Sequence, residues 1–106
     1  MGSILIKLNP EKLVNPDLDL RYTIPDKIIE MMDGKVSDDG YDYLDDDVNS
    51  IGIFLNSDNA KVDVVAVLEI LKSNLFQNNN IYDTAEISIC ETNDCDLSKY
   101  EIVHKP

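Results

Sequence analysis

The helix predicted at residues 62–76 constrains the fold most strongly, because it is the clearest helix of the chain and is apolar around much of its circumference. Residues 56–59 precede it and offer several N-cap side chains. A helix of this kind is expected to lie across a sheet and to be covered on one flank. Its predicted core residues are Val62, Val64, Val65, Val67, Leu68, Leu71, Leu75 and Phe76, whereas Lys61, Asp63, Glu69 and Lys72 mark its exposed side.

Runs of β-branched, aromatic or alternating apolar side chains between turn residues predict six strands. They cover residues 3–8, 18–24, 41–44, 50–55, 85–90 and 99–103. The strand at 18–24 is expected to stop at Pro25, because the residue before a proline prefers extended geometry. Residues 10–17 contain two prolines and predict a turn-rich connector.

A second, shorter helix is predicted at residues 25–33. Pro25 suits a first helical turn, Thr23 and Asp26 have the spacing of a capping box, and Gly34 ends the helix. The apolar face consists of Ile28, Ile29, Met31 and Met32. The methionine pair is interpreted as core filling, with a soft binding surface as the alternative.

The order of these elements is strand, strand, helix, hairpin, helix, hairpin. It predicts an α+β fold, in which a mainly antiparallel sheet carries two helices on one face. The nearest named architecture is a relative of the ferredoxin-like fold. Residues 1–106 are expected to form one domain, because their number suits a single core and no linker or internal repeat divides them.

The charge balance limits the class of partner. Nine basic and 21 acidic residues give a formal net charge of -12, which repels nucleic-acid phosphates and anionic membranes and favours basic protein surfaces. A purely solubilising charge is the alternative. The sequence also lacks a long apolar stretch and a signal-peptide pattern, so the expected location is the cytosol and no membrane contact is expected.

Residues 36–60 contain seven aspartates and no Lys or Arg. The residues 45–49 form a polar linker of hairpin length, which places an aspartate triplet at a hairpin tip. Tyrosines supply rigid contact area, and aspartates pair with Arg or Lys, so this segment is the predicted partner-binding surface. Its candidate residues are Asp38, Asp39, Tyr41, Asp42, Tyr43, Asp45, Asp46 and Asp47. In the alternative interpretation, Tyr41 and Tyr43 share one strand face and pack on the core, while Asp42 faces water.

Catalytic and metal sites have no support in the sequence, and no catalytic residue, metal ligand or cofactor is predicted. The aspartates lie in polar sequence that would not raise a pKa, and no EF-hand spacing, phosphate loop or nucleophile elbow occurs. Cys90 and Cys95 have the wrong spacing for a zinc site, and His104 is the single histidine. Cys90 is expected in a strand and Cys95 in a loop, with a hairpin disulfide as the alternative.

Four segments, at residues 18–26, 38–43, 85–87 and 100–103, resemble small acidic immunity proteins of bacterial contact-dependent and other polymorphic toxin systems. The resemblance implies a stoichiometric inhibitor that binds a cognate basic toxin domain, often a nuclease, and blocks its active site or substrate groove. The acids at 38–47 would then stand in for nucleic-acid phosphates. The first alternative is a non-enzymatic structural or housekeeping domain, with a homodimer formed through a sheet edge or the Met31-Met32 surface as one version of it. The second alternative is a metal-binding module.

Overall fold

Five strands and three helices make up the part of the chain described by the structure, a computed structural model that covers residues 2–44, 46–92 and 96–106. They are β1 (Gly2–Leu8), α1 (Leu20–Met31), β2 (Val36–Tyr43), β3 (Ile51–Ser57), α2 (Ala60–Ser73), α3 (Ile81–Thr84), β4 (Glu86–Cys90) and β5 (Glu101–His104). Short 3₁₀ turns lie at Pro10–Lys12 and Leu97–Lys99. None of the helices in these described ranges combines the length and the hydropathy of a membrane-spanning segment.

The strands form one sheet in the order β2-β3-β1-β4-β5, and all neighbouring strands are antiparallel. Helix α1 connects β1 to β2, and α2 and α3 connect β3 to β4, so each connection skips one strand of the sheet. Two interleaved strand-helix-strand units of this kind, β1-α1-β2 and β3-α2-α3-β4, form the ferredoxin-like arrangement. Strand β5 adds a fifth strand beside β4. The predicted α+β class is therefore confirmed.

The core lies between one face of this sheet and the helices. Ile4 is opposite Leu55 and Ile89, and Ile6 is opposite Ile53 and Ile87, so alternation along each strand directs all six side chains to the same side. Buried residues of α1 and α2 pack against them: Leu20, Ile24, Ile28, Val64, Val67, Ile70 and Leu71. We call the opposite face the helix-free side of the sheet.

The predicted strand at residues 18–24 is wrong, because α1 already begins at Leu20. Leu20, Ile24 and Ile28 are spaced four residues apart and are all buried, which requires a helix. Pro25 lies inside this helix rather than in its first turn. A proline there costs about 3 kcal/mol, whereas each buried Leu or Ile contributes about 1.5–3 kcal/mol. Burial of the helical face therefore outweighs the local preference that Pro25 imposes.

Helix α2 is confirmed, but part of its predicted core is wrong. Val64, Val67 and Leu71 are buried, whereas Val62 and Val65 are exposed, as is Leu75, which lies beyond the end of α2 at Ser73. The sheet and α1 cover only one strip of the helix, so apolar residues outside that strip remain in water. Lys61, Glu69 and Lys72 are exposed as predicted, and half-buried Asp63 accepts a hydrogen bond of 2.6 Å from the Ser57 hydroxyl.

The remaining elements differ from the prediction mainly at their ends. Strand β2 begins at Val36 rather than at residue 41, and β5 runs from Glu101 to His104. Helix α3 was not predicted. Of the methionine pair, Met32 fills the core while Met31 is half exposed. Cys90 lies in β4 as predicted. The alternative of a hairpin disulfide involves Cys95, which lies outside the described ranges.

Candidate functional site: the outer strand and its tyrosines

Strand β2 is an edge of the sheet, with β3 as its single neighbour. Its first residue, Val36, is buried, and every residue from Ser37 to Tyr43 is exposed. The pairing with β3 shifts by one residue between Asp38 and Tyr41, where Gly40 adopts a positive φ of 86°. Glycine tolerates that conformation, so the sequence permits a bulge that bends the edge strand.

The predicted binding residues divide between the two faces of the sheet. Tyr41 and Tyr43 lie opposite Ile53 and Ile51 and point to the helix side, whereas Asp42 lies opposite Gly52 and points to the helix-free side. This confirms the predicted alternation. The alternative in which the tyrosines pack on the core is wrong, however, because the exposed fractions of Tyr41 and Tyr43 are 38% and 56%. The alternation therefore leaves two exposed tyrosines beside the free edge.

Two residues of α1 join these tyrosines and were missed in the sequence. The Tyr22 ring meets the Tyr41 ring edge to face at a centroid distance of 6.0 Å, and Tyr41 meets Tyr43 in the same way at 6.0 Å. The Arg21 guanidinium carbon lies 4.7 Å from the Tyr22 ring centroid and 5.0 Å from that of Tyr41. We call Arg21, Tyr22, Tyr41 and Tyr43 the tyrosine patch.

Stacking holds Arg21 within the tyrosine patch. Its Nε atom is buried and has no hydrogen-bond partner among the described residues, so contact with the two rings fixes the guanidinium. Hydrogen bonding and the positive charge of Arg21 lower the pKa of Tyr22. The charge of Arg21 also lowers the pKa of Tyr41, but the hydrogen bond and negative charge of Tyr22 outweigh it, so that pKa is raised. The four side chains thus form one electrostatically connected group.

Two aspartates of β2 accept hydrogen bonds from the edge strand itself. Leu44 donates its N–H to the Ser50 carbonyl at 2.8 Å, so the N–H of Tyr43 points to the free edge. The Asp42 carboxylate accepts that N–H at 2.9 Å, and the Asp38 carboxylate accepts the N–H of Gly40 at 2.7 Å. Short carboxylates reach neighbouring backbone donors in this way, and they occupy positions that an added strand would need.

Asp46 organises the turn between β2 and β3. Its carboxylate accepts the N–H of Ser50 at 2.9 Å and that of Val48 at 3.2 Å, and it lies 3.5 Å from the Lys7 ammonium. The hydrogen bonds from Ser50, and to a lesser extent Val48 and the charge of Lys7, lower the pKa of Asp46 to about 2. Asp46 is therefore engaged within the chain.

Asp39 and Asp47 remain as exposed carboxylates with no hydrogen bond or ion pair to the described residues. Asp39 lies on the helix-free side, where its charge adds to burial in raising the pKa of Tyr100. Asp45 lies outside the described ranges. Of the predicted acids that the structure describes, these two are the ones whose charge is wholly available to a partner.

The helix-free side also carries an open groove of about 300 Å³. Leu5, Leu44 and Ile102 supply apolar walls, and Lys7 lies at one end between Asp46 and Glu86, at 3.5 and 3.9 Å. The ammonium group balances much of the negative charge there. Across the described residues, no group of three or more His, Cys, Asp or Glu is placed to hold a metal ion.

No known protein family, curated protein or solved structure matches this chain. The interpretation of the outer strand consequently depends on its own geometry and charge.

Proposed function

We propose that this protein is a cytosolic immunity protein, a non-enzymatic inhibitor that binds and neutralises a cognate basic toxin domain, such as a nuclease. The observation that carries the proposal is the tyrosine patch at the exposed edge of a chain whose net charge is -12. The resemblance of the sequence to small acidic immunity proteins supports the toxin as partner.

The tyrosine patch has the properties of an interface centre. Tyr22, Tyr41 and Tyr43 are 47%, 38% and 56% exposed, yet their rings already pack against one another. A partner would bury amphipathic rings that lose little conformational entropy on binding, because the free protein already holds them. Tyrosine is also among the residues that contribute most to binding energy at interfaces.

The aspartates act in a different way in this proposal. Asp39 and Asp47 are exposed and unpaired within the described chain, and they supply negative charge from β2 and from the turn that follows it. Such charges accelerate encounter with a basic surface more than they strengthen the final complex. Asp38, Asp42 and Asp46 add to the same field while their carboxylates stabilise the local backbone.

The test begins with the polypeptides encoded beside the gene of this protein, expressed and assayed for binding by surface plasmon resonance. We expect one of them to carry a basic domain, to bind with 1:1 stoichiometry, and to arrest bacterial growth unless this protein is co-expressed. If none of the neighbouring products binds at micromolar concentration or is toxic, the proposal is wrong.

The binding surface can be tested on the same complex with paired variants. Tyr41→Ala and Tyr43→Ala should raise the dissociation rate, whereas Asp39→Asn combined with Asp47→Asn should lower the association rate and its salt dependence. Asp33→Asn combined with Asp58→Asn is the matched control, because both are exposed aspartates outside β2 and their replacement also removes two charges. Equal effects of the Asp33/Asp58 pair and the Asp39/Asp47 pair would show that this surface has no special role.

A structural or housekeeping domain that forms a homodimer is the second candidate. Pairing through a sheet edge is disfavoured, because β2 is bulged and capped by its own aspartates, while β5 has four residues and a register shift against β4. A second copy would therefore have to use another surface.

A further inference from the structure

The exposed face of α2 combines apolar side chains with an unusual charge balance. Val65 is 67% exposed, Val62 is 62% exposed, and Ala66 lies beside them. At 3.6 residues per turn, positions 61, 62, 65, 69 and 72 fall within an arc of about 100°. Within this arc, Val62 and Val65 form a short apolar strip flanked by charged side chains.

The layer formed by helices α1 and α2 has no net charge, although the whole chain carries -12. Helix α1 contains Arg21 and Lys27 against Asp26 and Glu30, and α2 contains Lys61 and Lys72 against Asp63 and Glu69. Two copies could therefore meet through this layer while their acidic strands stay apart. A basic partner would gain little from the same face, so a second copy of the chain is the occupant that suits it best.

The order of charges along α2 is complementary to itself. Around Val65, Lys61 lies four residues before and Glu69 four residues after, both within the helix. Two antiparallel helices related by a two-fold axis at Val65 would place each Lys61 beside Glu69 of the other copy. A parallel arrangement would instead place like charges together.

Among the described residues, no ion pair involves Lys61, Glu69 or Lys72. Lys72 has one further contact, since its ammonium nitrogen lies 5.9 Å from the Tyr82 ring centroid. Lys61 and Glu69 are therefore the pair that most directly reports on a second copy.

We propose that two copies of this protein form a weak dimer through antiparallel contact of their α2 helices, centred on Val65. The half-exposed Met31 lines a neighbouring groove of about 350 Å³ together with Ala66 and Glu69, which extends the apolar contact. One helix pair buries less area than the roughly 1,200 Å² of a stable interface, so we expect a dissociation constant on the order of 0.1 mM. This dimer does not depend on the proposed toxin, because it uses none of the residues of β2.

Sedimentation velocity of the full chain from 10 µM to 1 mM (roughly tenfold to either side of the expected constant) tests the dimer. Lys61→Glu or Glu69→Lys should each raise the dissociation constant about tenfold, because each turns two attractive contacts into repulsive ones. The double variant Lys61→Glu/Glu69→Lys should restore it to within about twofold. Val65→Glu should abolish dimers, since it sets two like charges against each other at the axis.

All of these positions are exposed, so circular dichroism should show unchanged folding. A chain that stays monomeric at 1 mM (roughly tenfold above the expected constant) overturns the proposal. A dimer whose dissociation constant is unchanged by Val65→Glu also overturns it. The same holds if the double variant fails to restore the dissociation constant raised by the single charge reversals.

Discussion

The carboxylate of Asp42 accepts the backbone N–H of Tyr43 at 2.9 Å, on the free edge of the sheet. The acid next to the tyrosine therefore satisfies a donor that would otherwise face water or recruit another strand. The Asp38 carboxylate likewise accepts the backbone N–H of Gly40, and the Asp46 carboxylate accepts those of Val48 and Ser50. Much of the acidic segment thus stabilises local backbone geometry in addition to supplying charge.

Replacement of Asp42 should separate these two roles. Asp42→Ala removes the acceptor and should lower the free energy of unfolding by about 0.5–1 kcal/mol, whereas Asp42→Asn keeps an acceptor oxygen and should cost less. Urea denaturation of both variants measures the difference. Equal destabilisation by the two substitutions would mean that the charge, and not the hydrogen bond, matters at this position.

Asp46 should make stability depend on pH in the acid range. Its pKa is lowered from 3.8 to about 2 in the folded chain, so the unfolded chain binds the proton more readily. The resulting stabilisation is present above pH 3.8 and is lost as the pH falls toward about 2. Urea midpoints of the wild type should therefore fall more steeply over this interval than those of Asp46→Asn. Parallel curves would contradict the assignment.

Two adjacent valines of α2 provide a matched test of the core boundary. Val64 is 4% exposed and Val65 is 67% exposed. Val64→Ala should destabilise the fold by about 2 kcal/mol through lost burial and a cavity, while Val65→Ala should change stability by less than about 0.5 kcal/mol. Thermal and urea unfolding at a concentration well below 0.1 mM (roughly the expected dimer constant) would measure both. Similar losses would show that α2 is rotated relative to the sheet.

Tyr100 should stabilise the helix-free side of the sheet. Its hydroxyl donates to the buried Ser3 Oγ at 2.7 Å, and its ring packs against Phe54 at a centroid distance of 6.2 Å. Tyr100→Phe keeps the ring but leaves the Ser3 hydroxyl without this partner, so we expect a loss of about 1–2 kcal/mol. Ser3→Ala in the same background should restore part of it. An additive double-mutant cycle would argue against the hydrogen bond.

Local pattern was sufficient for the main layers of the fold. The alternation of apolar side chains in β1, β4 and the strand at Ile51–Ser57, together with the periodicity of α2, depends on residues close in sequence. The same alternation correctly placed Tyr41 and Tyr43 opposite to Asp42. The composition of residues 36–60 also indicates carboxylate hydrogen bonds to the local backbone, because all seven acids are Asp and none is Glu. Asp is the acid that reaches nearby backbone N–H groups.

Periodicity and charge are properties of neighbouring residues, and they were enough to predict the α+β class, the principal strands, helix α2 and the acidic character of the chain. Packing between distant segments carries α1 through Pro25, since burial of Leu20, Ile24 and Ile28 outweighs a local penalty. It also decided that Arg21 and Tyr22 join Tyr41 and Tyr43. These pairs are some twenty residues apart, and only the packing of α1 against β2 brings them into contact.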